Sequence, residues 1–182
     1  RLSLSLPANK KVLLAIGRFV GSKGFDKAIE AMQFLDDDYV LCLVGEGAEL
    51  PMYQQLIADF GLNNVIIHPF TKTPENYYQA ADLFLMTSVY ETLGQTVIEA
   101  QATGLPIVAF KPCSTVKTAT SEITTDNTAS LSLSHDAQSF SQAILKANER
   151  LGTNDLINSN ISIFAKRQFS WQNLCQQIME KK

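Results

Sequence analysis

The sequence predicts a doubly wound α/β domain built on a parallel sheet. Three observations carry this. Short runs of Val, Ile and Leu recur, too uniformly apolar for strands with one wet face. Longer stretches with helical spacing separate them. Glycines close several of these segments, where the chain has to turn. In order, KVLLAI (Lys11–Ile16) reads as a buried strand ending at Gly17. Residues 25–35 follow as a helix, with Phe25, Ala28, Ile29, Met32 and Leu35 on one face. YVLCLV (Tyr39–Val44) is a second buried strand, closed by Gly45-Glu46-Gly47. Residues 48–60 form a helix stopped by Gly61, and Val65–His68 is a third strand. Pro74 begins a helical turn through Tyr78 and Ala81, before a fourth strand, Leu83–Met86. Residues 94–103 form a helix ended by Gly104, and residues 105–110 a fifth strand. Beyond Phe110 the pattern changes. Residues 111–128, rich in Thr, Ser, Pro and Lys, read as a loop, and residues 129–134 (ASLSLS) alternate as an edge strand does. Residues 139–151, 156–169 and 171–180 form C-terminal helices, with Ser170 capping the last. No repeat or linker divides the chain.

Composition narrows the function. With 182 residues, 46% hydrophobic and 18% charged, there is room for one ordinary domain whose core needs no disulfide or metal. No apolar run approaches the ~18 residues of a membrane span. The opening RLSLSLP is too short and polar for a signal peptide and lacks a starting methionine, so the chain reads as part of a longer protein. The net charge is -3, with 15 basic and 18 acidic residues intermixed, which excludes a nucleic-acid partner. Cys42, Cys113 and Cys175 lie far apart and form no zinc spacing with His68 or His135. Reduced thiols fit a cytoplasmic protein.

Ligands of doubly wound sheets bind outside the carboxyl ends of the strands. Gly17-Arg18, Gly45-Glu46-Gly47 and residues 88–94 fall there. After strand one, Gly17-Arg18 precedes Lys23-Gly24 at the start of a helix. Glycine lets a ligand approach the backbone, arginine grips phosphate in a fork, and lysine adds a point charge. Taken alone, two readings stay open for Arg18 and Lys23: a diphosphate grip or solvated loop charges. After strand four stand Glu91, then Gly94-Gln95-Thr96 opening a helix, then Glu99. Two carboxylates so spaced can accept hydrogen bonds from sugar hydroxyls, which would offset their desolvation. An acidic helix start favoured by the helix dipole accounts for Glu91 but not for Glu99.

Together, Gly17-Arg18, Lys23-Gly24, Gly45-Glu46-Gly47, Glu91-x7-Glu99 and Gly104-Leu105-Pro106-Ile107-Val108-Ala109 resemble the C-terminal half of a GT-B glycosyltransferase, specifically glycosyltransferase family 4, the group 1 glycosyl transferases. The resemblance covers roughly residues 9–150, and the closing Phe169-Ser170-Trp171 is similar too. It implies a Rossmann-like donor-binding domain spanning 1–182, with the N-terminal acceptor domain absent from the chain. The implied activity is retaining transfer of a sugar from a nucleotide diphosphate sugar to a glycan or lipid-linked acceptor. The isolated piece would bind donor and transfer little or nothing. Arg18 and Lys23 match the diphosphate-holding positions, Glu91 the glutamate near the donor sugar, and Glu99 the one on the ribose. Gly17 and the amides of Leu93, Gly94 and Gln95 match phosphate or sugar contacts, and His68-Pro69-Phe70 the place of the base. No metal or other cofactor is implied. The resemblance places the protein in glycan biosynthesis, in the cytoplasm, peripheral on the inner membrane face through the missing half.

The pattern also departs from the family. Its usual E-G-F-G is Glu91-Thr92-Leu93-Gly94 here, and its glycine-rich loop is replaced by residues 111–118. That leaves room for a non-catalytic nucleotide-sugar-binding domain, or another GT-B enzyme such as a nucleotide sugar epimerase. Tyr77, Tyr78 and Tyr90 are placed to line the cleft, Tyr90 foremost. His135 reads as exposed in a polar turn, and Trp171 with Phe164 and Ile178 as a packing stripe.

Overall fold

The computed structural model describes residues 1–151, 155–170 and 173. The chain runs β1 (Lys11–Ile16), α1 (Phe25–Ala31), β2 (Tyr39–Val44), α2 (Leu50–Asp59), β3 (Val65–His68), α3 (Glu75–Ala80) and β4 (Leu83–Met86). It continues through a short β5 (Tyr90–Glu91), α4 (Gln95–Ala102), β6 (Ile107–Phe110), a short β7 (Lys117–Thr118) and α5 (Thr120–Ile123). It closes with β8 (Ala129–Ser132), α6 (Ala137–Leu151) and α7 (Asp155–Gln168). Six strands form one sheet in the order β3-β2-β1-β4-β6-β8, every pair parallel. This is the doubly wound order, with its switch point between β1 and β4.

Burial on both faces explains the apolar strands. Along β1, Leu13 and Ala15 join one core while Val12 and Leu14 join the other. Along β2, Tyr39, Leu41 and Leu43 alternate in the same way with Val40, Cys42 and Val44. Side chains alternate across a strand, so a strand covered on both faces must be apolar at every position. The first core takes α1, Tyr53 of α2 and the Phe140, Ile144 and Ala147 stripe of α6. The second takes Tyr77 and Tyr78 of α3 with Val97 and Ala100 of α4. The helix predicted over 25–35 ends as α1 plus a 3-10 turn at Met32–Phe34, with Phe25, Ala28, Ile29 and Met32 buried. Residues 129–134 do supply the edge strand, β8.

Three expectations need correction. Residues 111–128 are not simply a loop, because β7 and α5 lie within them. His135 is not merely exposed: its ring meets Phe110 edge-on, with centroids 4.4 Å apart. Tyr77 and Tyr78 are buried, and only Tyr90 stands on the surface. Ser170 Oγ accepts a hydrogen bond from the Asn173 backbone N–H at 3.2 Å. The expected helix over 171–180 and the Trp171–Ile178 stripe lie outside the described residues, apart from Asn173.

The start of the chain is fastened by the Arg1 charge and by Leu6, which is buried in the second core. Arg1 pairs with Asp82 at 2.6 Å, and Asp82 is 6% exposed. The same Asp82 oxygen accepts the Val12 N–H at 2.7 Å. A carboxylate this buried needs such partners, and it has them at the amino ends of β1 and β4. Among the described residues, no helix is long and apolar enough to cross a membrane.

Candidate functional site

The chain leaves β1 toward one edge of the sheet and β4 toward the other. Their carboxyl-end loops diverge and leave a crevice. The loop after β1 is then fastened to the loop after β4. Gly24 takes a left-handed conformation (φ 61), and a Cβ there would run into the Thr87 carbonyl. Thr87 Oγ1 donates to the Lys23 carbonyl at 2.8 Å, and the Val89 N–H donates to the Ser22 carbonyl at 3.0 Å. These ties bring the Lys23 ammonium to Glu91 Oε2 at 2.6 Å.

Glu91 sits in a second frame. β5 pairs in parallel with β7, matching Tyr90 with Lys117 and Glu91 with Thr118. The Lys117 N–H donates to the Val89 carbonyl at 2.8 Å and the Ala119 N–H to the Glu91 carbonyl at 3.0 Å. Residues 117–119 therefore hold the Glu91 backbone. Partial burial works to raise the Glu91 carboxyl. The Lys23 hydrogen bond and charge, with the Gly94 and Leu93 backbone N–H groups, outweigh it and hold the carboxyl below its ordinary value. Gly94 is the left-handed N-cap of α4 (φ 72), and a Cβ there would come 2.9 Å from Ile123 Cδ1.

Beside this cluster opens a cavity of about 370 Å3, lined by Ile16, Gly17, Arg18, Glu46, Phe70 and Glu99 among others. Arg18 is exposed, and its guanidinium makes no hydrogen bond or ion pair among the described residues. Glu99, one turn into α4, accepts the Tyr78 hydroxyl on Oε2 at 2.8 Å and Gln95 Nε2 on Oε1 at 3.1 Å. One unpaired cation and one oriented carboxylate thus share a cavity, and a paired cation and carboxylate stand next to it. Such a site can take an anion at one end and a polyol at the other.

Gly17, Arg18 and Glu99 come together on the cavity. Lys23, Glu91, Leu93 and Gly94 come together in the adjoining cluster. Gln95 reaches Glu99 through its side chain. His68 stands apart from the cavity wall. Its ring meets Tyr77 edge-on at 5.3 Å, burial pushes its imidazole below the ordinary value, and Phe70 and Thr71 line the wall instead. Sequence reasoning missed the β5–β7 pairing and the bond from Tyr78 to Glu99. A buried tyrosine hydroxyl needs a partner, which was the available signal for Tyr78. A larger cavity of about 660 Å3 lies at the amino end of β8, between residues 125–128, Arg150 and α7. There Arg150 Nη2 donates to the Asp126 and Ala129 carbonyls, and none of the predicted site residues reaches it.

Comparison with known proteins identifies the family. The model of the family described as glycosyl transferases group 1 matches residues 1–157. The lipopolysaccharide core biosynthesis glycosyltransferase LpsE of Rhizobium meliloti is 35% identical over 112 residues, which are 61% of this chain and 33% of that protein. A D-inositol 3-phosphate glycosyltransferase of Corynebacterium aurimucosum is 29% identical over 193 residues, covering 98% of this chain and 44% of its own. Anabaena Alr3699/HepE, solved in complex with UDP, superposes with a TM-score of 0.83 at 25% identity, covering 96% of this chain and 49% of that one. The chain therefore spans a third to a half of the length of these relatives. With the family model matched over most of its length, on a six-stranded doubly wound sheet, the chain belongs to the glycosyl transferases group 1 family.

Proposed function

We propose that the chain is the donor-binding, C-terminal half of a retaining family 4 glycosyltransferase. The observation that carries this reading is the convergence at the switch point. Arg18 and Glu99 share one cavity, with the Lys23–Glu91 pair beside it. Arg18 and Lys23 receive the diphosphate of a nucleotide diphosphate sugar. Lys23 exchanges Glu91 for a phosphate oxygen, which frees the carboxylate to accept hydroxyls of the donor sugar. As the bond from the anomeric carbon to the diphosphate breaks, negative charge grows on the departing oxygen. The two cations and the amides of Leu93, Gly94 and Gln95 stabilise that charge, without a metal. Glu99 accepts the ribose hydroxyls, and the base packs toward residues 68–70. Anabaena Alr3699/HepE, which shares this fold, was solved with UDP bound, and that supports a nucleotide ligand here.

The acceptor, a glycan or a lipid-linked sugar, is held by an N-terminal half outside this chain. In this reading the protein serves glycan biosynthesis in the cytoplasm, peripheral to the inner membrane face through that half. Calorimetric titration of the chain with UDP, GDP and ADP tests the donor site. One of them is expected to bind, and Arg18→Ala to weaken it by about tenfold or more. No heat from any of the three would sink the reading. In the full-length enzyme, Arg18→Ala should lower kcat more than it raises the donor KM, because the charge it meets is greatest in the transition state.

A further inference from the structure

The feature of the site that the family reading leaves unused is the hydroxyl of Tyr78. Tyr78 lies on α3 with 3% of its surface exposed, its ring against Phe84 at 5.8 Å between centroids. Its hydroxyl crosses to α4 and donates to Glu99 Oε2 at 2.8 Å. Burial, and then the bond to Glu99, push its ionisation well above the ordinary phenol value, so the group stays a donor. The other Glu99 oxygen is met by Gln95, an exposed side chain free to take other rotamers. Tyr78 is therefore the rigid support and Gln95 the soft one. Each carboxylate oxygen has two acceptor directions. With one direction on Oε2 filled from the protein side, the carboxylate plane is set before any ligand arrives.

We propose that Tyr78 is the positioning residue for Glu99, holding its carboxylate so that the remaining acceptor directions face a vicinal diol, the ribose of a nucleoside diphosphate. The proposal rests on the donor-binding reading above. Tyr78 itself touches no ligand and acts by sparing Glu99 the loss of rotamer freedom on binding.

The test compares two ligands. The chain is titrated with whichever of UDP, GDP and ADP binds most tightly, and with its 2′,3′-dideoxy form. The wild type should prefer the ribose form. Tyr78→Phe keeps the ring and removes the hydroxyl. It should weaken the ribose form by about 5- to 30-fold and the dideoxy form by less than about twofold. Combined with Glu99→Gln, it should add little further loss. A Tyr78→Phe variant that keeps the full ribose preference overturns the proposal and leaves the donor site standing, even if it melts earlier. A wild type that binds both forms equally removes the ribose assignment of Glu99 and this proposal with it. A wild type that binds none of the three removes the donor reading itself. A second measurement covers a variant that fails to fold. In the wild-type chain the Tyr78 hydroxyl proton, followed by NMR, should shift on adding the ribose form and not the dideoxy form, and equal shifts overturn the proposal.

Discussion

The two walls of the crevice are built by different physics. The wall at β1 and β2 is made of backbone pressed on backbone. A Cβ on Gly45 would run into the Gly17 carbonyl, and one on Gly47 into the backbone of Phe19. The wall at β4 and α4 is made of charge and hydrogen bonds: Lys23 on Glu91, amides on Glu91, Tyr78 and Gln95 on Glu99. The difference separates two kinds of motif residue. Gly45 and Gly47 are there because nothing larger fits between two loops. Glu91 and Glu99 are there for what their oxygens accept. On the second wall the two carboxylates differ again, since Glu91 is neutralised by a cation and Glu99 is met only by neutral donors.

Substitutions can break this contrast. The largest effect is expected on the first wall. Gly45→Ala should cost about 3 kcal/mol of stability in chemical denaturation, because the obstruction is backbone and cannot rotate away. Gly21→Ala, where nothing lies within 4 Å of the added carbon, is the control and should change stability by less than about 0.5 kcal/mol. Similar losses for both would mean that the first wall is not close-packed.

On the second wall the effect should move from stability to binding. Lys23→Met should weaken nucleoside diphosphate binding by about 10- to 100-fold in calorimetry. The melting free energy should change by no more than about 1 kcal/mol, since the Lys23 and Glu91 side chains keep 21% and 20% of their surface exposed. A large stability loss with unchanged binding would make the pair a strut.

The smallest expected effect is on pH. The Glu91 carboxyl is held below its ordinary value of 4.5 in the folded chain. The stability it contributes is therefore present above that pH and is lost as pH falls through the lower folded value. On acidification below about pH 4.5, the wild type should lose more stability than Glu91→Gln, by less than about 1 kcal/mol, in paired thermal melts. Parallel curves would show that the pair contributes nothing to folding.

Much of this was legible beforehand. Strands with both faces covered announce themselves, because KVLLAI and YVLCLV leave no polar position for a wet face. The strand ends then placed Gly17, Arg18, Glu91 and Glu99 on one side of the sheet. The β5–β7 ribbon was not legible, since two residues per strand carry no periodicity and their pairing spans the whole of α4 and β6. His135 failed for a related reason. Its neighbours in sequence are polar, while the neighbour that half-buries it is Phe110.

The sequence by itself determined the layer architecture and which strand ends carry the candidate site residues, because periodicity and glycine placement are local. Only the tertiary structure decided how those residues pair. Lys23 meets Glu91 across 68 residues, and Tyr78 meets Glu99 across 21. Such contacts depend on the loops being stitched at Gly24, Thr87 and Val89 and on α3 packing beside α4. The chain is silent on them until the sheet has closed, because hydrogen bonds and ion pairs need atoms within about 3 Å, and only packing brings distant residues that close.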